Sequence, residues 1–290
     1  MNGILLVDKE RGMTSHDVVH LVRKRFAEQR VGHAGTLDPI ASGLLVLFLG
    51  RATKFVKYFM DHDKTYEAEI TVGIATDTDD ATGTITASLA CDGLDPAVID
   101  AALGRFVGAS LQQPPAYAAI KVAGHKLYEY ARKNMPIPDV APRGIEIYRL
   151  ERTSAPIATD GQCRFTFRAA VSKGTYIRSL CRDLGTDLGY PATMSALRRV
   201  ASGAFSIEDA MSLSDLETGE IRLLDPLLVL RFPRVILDAG QEFKAKNGAF
   251  LPLSVFPGTE DAIVLDHEGR PLAVYEYDAV KKVMRLSVML

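Results

Sequence analysis

The residues Gly32-His33-Ala34-Gly35-Thr36-Leu37-Asp38-Pro39-Ile40-Ala41-Ser42-Gly43 set a histidine and an aspartate five positions apart in a loop with three glycines. Pro39 fixes the backbone after Asp38 and restricts Asp38 itself to extended conformations. The glycines let main chain approach a ligand closely. Such a loop presents one carboxylate rigidly. The plain alternative is a turn in which Asp38 caps a following helix. A second candidate is Ser172-Lys173-Gly174-Thr175-Tyr176-Ile177-Arg178, at a strand-to-helix junction, with Arg178 about one turn from Arg182. A guanidinium there pairs with a carboxylate from another segment or with phosphate, unless it is an ordinary surface arginine. Tyr66 in Lys64-Thr65-Tyr66 opens a strand on its apolar face and reads, on local grounds, as a core tyrosine. Asp8-Lys9 before Gly12-Met13-Thr14-Ser15 reads as a strand end followed by a helix cap.

Other chemistries lack their residues. His16 and His20 have i, i+4 spacing, but no glutamate or third ligand accompanies them, so no metal site is expected. No nucleophile elbow, GxGxxG loop or P-loop is present, which disfavours serine hydrolases, dinucleotide enzymes and NTPases, and no cofactor is expected. Cys181 lies on an apolar helix face and reads as core. Three separated cysteines fit a reducing cytoplasm. No apolar run reaches the ~18 residues of a membrane-spanning helix, and Met1–Lys9 does not suggest a secretory signal.

The elements that must hold these residues follow from periodicity. Ile4–Val7 predicts a strand. Thr14 or Ser15 caps a helix with Val18, Val19, Val22 and Phe26 inward. Leu44–Leu49 predicts a buried strand. Lys64–Gly73 alternates, with Tyr66, Ala68, Ile70 and Val72 on one face. Thr76–Gly83 reads as an acidic, turn-rich loop, and Pro96–Val107 as a helix burying Val98, Ile99, Ala102, Leu103 and Phe106. Gln112–Tyr117 reads as a proline-rich turn and His125–Lys133 as a short helix. Arg164–Ser172 alternates again. After Gly174 comes a helix with the stripe Ile177, Leu180, Cys181, Leu184 and Leu188, stopped by Gly189. Strands and helices mix without regular βαβ alternation, which predicts an α+β fold. Beyond Arg231-Phe232-Pro233, Arg234–Leu237, Ala262–Asp266, Leu272–Tyr277 and Val283–Leu290 predict a small β-barrel-like unit.

The 290 residues carry a formal net charge of −2, which taken alone argues against nucleic acid as a partner. The average hides strong segregation: net −9 over residues 60–100 and −5 over 200–290, against +4 over 1–59, +3 over 101–163 and +5 over 164–199. The bland reading is uneven solvated surface. The sharper one is a basic face tracking a phosphate backbone, which leaves open whether the acidic stretch lies away from that face.

Taken together, these segments resemble the bacterial TruB family of tRNA pseudouridine synthases. Gly32–Gly43 is similar to the family's catalytic motif GHxGxLDPxAxG. Asp8-Lys9 with Gly12–Ser15, Lys64-Thr65-Tyr66, Gln113–Lys121, Ser172–Arg178 with Asp183-Leu184-Gly185, and Leu197-Arg198-Arg199 resemble further family motifs, all in order. Two departures are Glu10-Arg11, where a proline often follows the lysine, and Ala118, where serine is frequent. The resemblance implies a pseudouridine synthase fold: a central mixed, largely antiparallel sheet flanked by helices. It implies a catalytic domain over 1–232, with an RNA-gripping insertion at about 108–142, and a PUA-like RNA-binding domain over 233–290.

The implied reaction is isomerisation of uridine-55 in the TΨC loop of tRNA. It breaks the N1–C1′ bond, turns the base and joins C5 to C1′. The resemblance makes Asp38 the nucleophile and Arg178 the group that holds it ionised and oriented. Tyr66 stacks on the base near the C5 proton. His33 fills the space left by the flipped base, Tyr176 and Leu197 wall the pocket, and Lys9 supports it. The family precedent favours a monomer. Two competing readings are an RNA-binding or RNA-folding module without essential chemistry, and a nucleoside glycosidase. The latter usually wants two carboxylates.

Overall fold

The computed structural model describes the chain except for positions 119, 123, 134 and 137, so Ala119 of the Gln113–Lys121 segment lies outside the described residues. Strand β1 (Gly3–Lys9) leads to α1 (Ser15–Phe26), where Thr14 and Asp17 form a reciprocal capping box and Val18, Val19 and Val22 are buried. Strands β2 (Val31–His33) and β3 (Ala41–Leu49) flank the Asp38 loop. The short helix α2 (Val56–Phe59), β4 (Lys64–Val72), the pair β5 (Ile74–Thr76) and β6 (Ile85–Ser88), α3 (Pro96–Arg105) and β7 (Gly108–Gln112) follow. The chain then leaves the sheet through β8 (Lys121–Val122), β9 (His125–Lys126) and α4 (Leu127–Arg132), and returns as β10 (Arg143–Arg152), β11 (Ile157–Thr159) and β12 (Gln162–Val171). Helix α5 (Ile177–Asp187), β13 (Ala192–Ser202), β14 (Phe205–Ser206), α6 (Leu213–Thr218) and α7 (Pro226–Val229) precede a final group. That group is β15 (Arg234–Ile236), α8 (Ala239–Lys246), β16 (Leu251–Pro252), β17 (Ala262–Leu265), β18 (Pro271–Asp278) and β19 (Val283–Met289).

The large sheet runs β1-β3-β13-β4-β12-β10-β7, with β2, β11 and β14 on its margins. Its described pairings are antiparallel except β3 with β13. The mixed, largely antiparallel α+β architecture is therefore present. Phe165 and Phe167 of β12 pair in register with Ile70 and Ala68 of β4, and these side chains share a buried core with Ile177, Leu180, Cys181 and Leu184 of α5. Each such large apolar side chain contributes about 1.5–3 kcal/mol on burial, and their alternation fixes which face of β4 and β12 the helix covers.

The parallel β3–β13 contact requires Gly43. Its φ is +102°, and a Cβ there would stand 2.3 Å from the Arg199 carbonyl oxygen. The C-terminal strands form a separate sheet, β15-β17-β18-β19-β16. Val274 and Val288 from it share a core with Phe48 and Phe59. Lys57 reaches Glu276 at 2.7 Å, and the Tyr58 and Ser287 hydroxyls are 2.5 Å apart.

Several expectations need correction. Val98 of α3 is exposed, while Ile99, Ala102 and Leu103 carry the buried side. His125 and Lys126 form a strand, and the helix expected there starts at Leu127. The C-terminal group contains the unforeseen helix α8, begun by a capping box of Asp238 and Gln241. The acidic stretch does not lie apart from the basic segments: Asp61, Asp79, Asp80 and Asp100 pair with Lys173, Arg182, Arg178 and Arg152.

Candidate active site

Asp38 is pinned on both sides. The Ser15 hydroxyl accepts from the Leu37 N–H at 2.9 Å and lies 3.1 Å from the Leu37 carbonyl. The Gly12 N–H donates to the Pro39 carbonyl at 2.7 Å, and the Ala41 N–H to the Asp38 carbonyl at 3.0 Å. Asp38 precedes no helix, so it does not serve as a helix cap. Its side chain is 44% exposed and points into a cleft of about 380 Å³, within the usual range for small-ligand sites.

Arg178 enters the same cleft from the first turn of α5 and is 7% exposed at its side chain. Its Nη2 lies 3.1 Å from Asp38 Oδ2 and donates to the Tyr117 carbonyl at 3.2 Å. Its Nη1 donates to the Thr78 carbonyl at 3.1 Å and lies 3.4 Å from Asp80 Oδ2. One buried guanidinium is thus shared by two carboxylates, one open to the cleft and one closed from it. Asp80 is itself fixed: its Oδ1 accepts from the Thr78 hydroxyl at 2.9 Å and from the Thr82 N–H at 2.9 Å. The loop carrying Asp80 is sewn to β13 through the Met194 N–H, which donates to the Asp79 carbonyl at 3.1 Å, and the Ala81 N–H, which donates to the Met194 carbonyl at 2.9 Å. Asp79 occupies the left-handed region with φ +59° and pairs with Arg182 one turn along α5 at 2.8 Å. Burial raises its carboxyl above the ordinary value, against the opposing charge of Arg182.

Tyr66, Leu197, Tyr176 and Lys64 line the cleft beside Asp38 and Arg178. Tyr66 pairs with Arg199 across β4 and β13, and Leu197 lies two residues before Arg199, so the three share a sheet face. Burial raises the Tyr176 phenol and lowers the Lys64 ammonium, whose Nζ donates to the Met60 carbonyl at 2.9 Å.

His33 ends β2, half-buried, and is not among the residues lining the cleft. Burial and then the Arg199 charge hold its pKa below the ordinary value, which keeps the ring neutral and suited to stacking. Lys9, expected among the pocket residues, is fully buried, and its Nζ donates to the carbonyls of Met13 at 2.7 Å and Glu10 at 2.9 Å. Burial lowers its pKa, and the Asp38 charge opposes that shift. Its neighbour Asp8 forms a two-point ion pair with Arg198 at 2.6 and 3.0 Å.

Two residues had no individual assignment in the sequence. Arg199 is 1% exposed; its Nε donates to the Leu44 carbonyl at 2.7 Å and its Nη2 to the Gly35 carbonyl at 3.1 Å, bracing the Asp38 loop. The available signal was its place in the Leu197-Arg198-Arg199 segment, two residues after Leu197. Asp80 had only its place in an acidic loop.

The chain shares this architecture with solved structures. "Crystal Structure of a Cbf5-Nop10-Gar1 Complex" superposes with a TM-score of 0.69 at 24% identity, covering 99% of this chain and 84% of the other. "Structure of H/ACA RNP bound to a substrate RNA containing 2'-deoxyuridine" gives 0.67 at 22% identity, with coverage of 99% and 83%. Sequence narrows the class to pseudouridylate synthases. Residues 23–177 match the family model "TruB family pseudouridylate synthase (N terminal domain)", and residues 178–227 match "tRNA pseudouridylate synthase B C-terminal domain". A protein named tRNA pseudouridine synthase B from Bacillus pumilus (strain SAFR-032) is 42% identical over 287 residues, covering 95% of this chain and 93% of its own. Its namesake from Streptococcus pneumoniae serotype 4 (strain ATCC BAA-334 / TIGR4) is 40% identical over 292 residues, with coverage of 98% and 95%. The chain belongs to the TruB family.

Proposed function

We propose that this enzyme isomerises uridine to pseudouridine in the TΨC loop of tRNA, at uridine-55, with Asp38 as its nucleophile. The observation that carries the reading is the half-exposed Asp38 carboxylate held 3.1 Å from the buried Arg178 in a cleft of about 380 Å³. The N1–C1′ bond breaks, the base turns, C5 bonds to C1′, the C5 proton leaves and N1 gains a proton. Atoms and electrons balance without a co-reactant. Asp38 serves as nucleophile or stabilises the developing sugar cation. Tyr66 stacks on the base close to the C5 proton. Tyr176 and Leu197 wall the pocket, neutral His33 stacks where the base has left the loop, and Lys9 supports the Asp38 loop from behind.

The base must be flipped from the folded RNA to reach this cleft. We assign 1–232 to the catalytic domain, with the RNA-gripping insertion at about 108–142, and 233–290 to a PUA-like RNA-binding domain. The protein acts as a monomer in the cytoplasm. A nucleoside glycosidase is disfavoured because the second carboxylate, Asp80, is 4% exposed and bound to Arg178. Incubation with unmodified tRNA tests the reading: pseudouridine supports it and free uracil points to the glycosidase. Equal conversion by Asp38→Ala would remove Asp38 from the chemistry.

A further inference from the structure

Gln112 closes β7 and pairs with Arg143 of β10, so the insertion leaves and re-enters the sheet at one residue pair. The Gln112 side chain is buried, and its amide is spent on the main chain of Tyr176. Its Nε2 donates to the Tyr176 carbonyl at 3.0 Å, and the Tyr176 N–H donates to its Oε1 at 2.8 Å. Tyr176 is the N-cap residue of α5, and its own side chain makes no cap hydrogen bond. The primary amide therefore does for Tyr176 what a neighbouring strand would do, satisfying donor and acceptor together. The next residue extends the seam: the Ser179 hydroxyl at 3.0 Å and Arg182 Nη2 at 3.2 Å both donate to the Gln113 carbonyl. Arg178 lies between these anchors and itself holds the Tyr117 carbonyl.

We infer that Gln112 is a positioning residue for the reaction: its amide fixes the Tyr176 main chain, and through it aims the Tyr176 ring and the Arg178 guanidinium into the cleft. The inference rests on the uridine-isomerase reading and adds the link between the root of the insertion and the reacting groups. Only a group that donates and accepts at once fits this place. A carboxylate in the same position still accepts from the Tyr176 N–H but faces the Tyr176 carbonyl with no hydrogen to give. A protonated carboxyl restores both bonds. The charged and titratable groups around it are Tyr176 itself, Arg143 on β10, Arg178 and Arg182 on α5, and Asp38, Asp79 and Asp80 held by those arginines. The arginines favour the ionised carboxyl, and burial favours the neutral one.

The test compares Gln112→Glu and Gln112→Leu with wild type on unmodified tRNA, reading turnover at saturating RNA and affinity separately. At about pH 8 both variants turn over about tenfold more slowly, as expected when reacting groups lose their aim, while RNA affinity stays within about twofold. Lowering the pH to about 6 restores Gln112→Glu relative to wild type and leaves Gln112→Leu unchanged. A purely structural role would lower turnover only in proportion to the folded fraction, which unfolding measurements at each pH report. Wild-type turnover in Gln112→Leu, a Gln112→Glu deficit that is flat with pH, or a loss confined to affinity overturns the inference. Should Gln112→Leu not fold, the pH profile of Gln112→Glu decides alone. Absence of pseudouridine with the wild-type protein is a different failure, that of the isomerase reading itself.

Discussion

Replacing Asp80 by asparagine tests whether the cleft depends on a carboxylate buried behind Arg178. Arg178 stands between Asp38 Oδ2 at 3.1 Å and Asp80 Oδ2 at 3.4 Å. At an effective dielectric constant of about 20, each pairing has a Coulomb energy of about 5 kcal/mol. Asp80→Asn keeps an oxygen to accept from Thr78 and Thr82 but removes one of the two charges holding the guanidinium. Arg178 then shifts toward Asp38, the remaining carboxylate, and pairs with it more fully. That tighter pair stabilises the resting carboxylate over the transition state. Most of the 5 kcal/mol is offset by the amide and by local relaxation. A net cost of about 2 kcal/mol on the barrier corresponds to about thirtyfold in turnover. The assay is single-turnover conversion of uridine in unmodified tRNA, beside equilibrium binding of the same RNA. The expected outcome is turnover about thirtyfold lower with affinity nearly unchanged. Wild-type turnover, or equal losses in turnover and affinity, would refute the argument that Asp80 sets Arg178.

Other perturbations reach different parts of the molecule. Arg178→Ala should reduce turnover far more than RNA affinity and, by leaving Asp80 buried without its cation, lower stability by about 3 kcal/mol; unfolding midpoints and the conversion assay check both. Gly43→Ala should destabilise by about 3 kcal/mol or more, because its φ of +102° and the Arg199 carbonyl 2.3 Å from the added Cβ oppose it together; a thermal midpoint equal to wild type would contradict this. Burial pushes the Cys181 thiol well above its usual range, so the native protein should resist alkylation there at neutral pH and react after unfolding, as mass spectrometry would show. Glu242 raises the His267 pKa above 6.5 and is itself held at about 2 by Lys246 first and then by His267. The stabilisation from this pair is complete below pH 6.5 and is lost as pH rises through the folded value. His267→Gln should therefore lower the melting temperature most at about pH 6, with the difference from wild type shrinking as pH rises.

Legibility in the sequence followed physical regularity. The alternation of Phe165, Phe167, Ala169 and Val171 and the stripe of Ile177, Leu180, Cys181 and Leu184 announce β12 and α5 because each element buries one face. The Asp38 loop was legible because proline and glycine restrict backbone conformation locally. β13 was not read as a strand, although it lies at the centre of the sheet. It mixes buried apolar residues with Arg199, whose charge is satisfied by carbonyls distant in sequence. β7 was hidden because three of its five residues are exposed at the sheet margin. Asp80 looked like one acid in a solvated loop, and only the fold sets it against Arg178. Lys9 sat in a recognisable motif, but its burial and its bonds to the Glu10 and Met13 carbonyls appear only once the turn after β1 is folded.

The central claim is that the Asp38 carboxylate carries out the isomerisation. It is tested most directly by quantifying pseudouridine at the TΨC-loop uridine of one unmodified tRNA after incubation with wild type and with Asp38→Asn. Conversion by wild type, with loss of conversion but retained RNA binding in Asp38→Asn, is the predicted result. Undiminished conversion by Asp38→Asn would contradict the account.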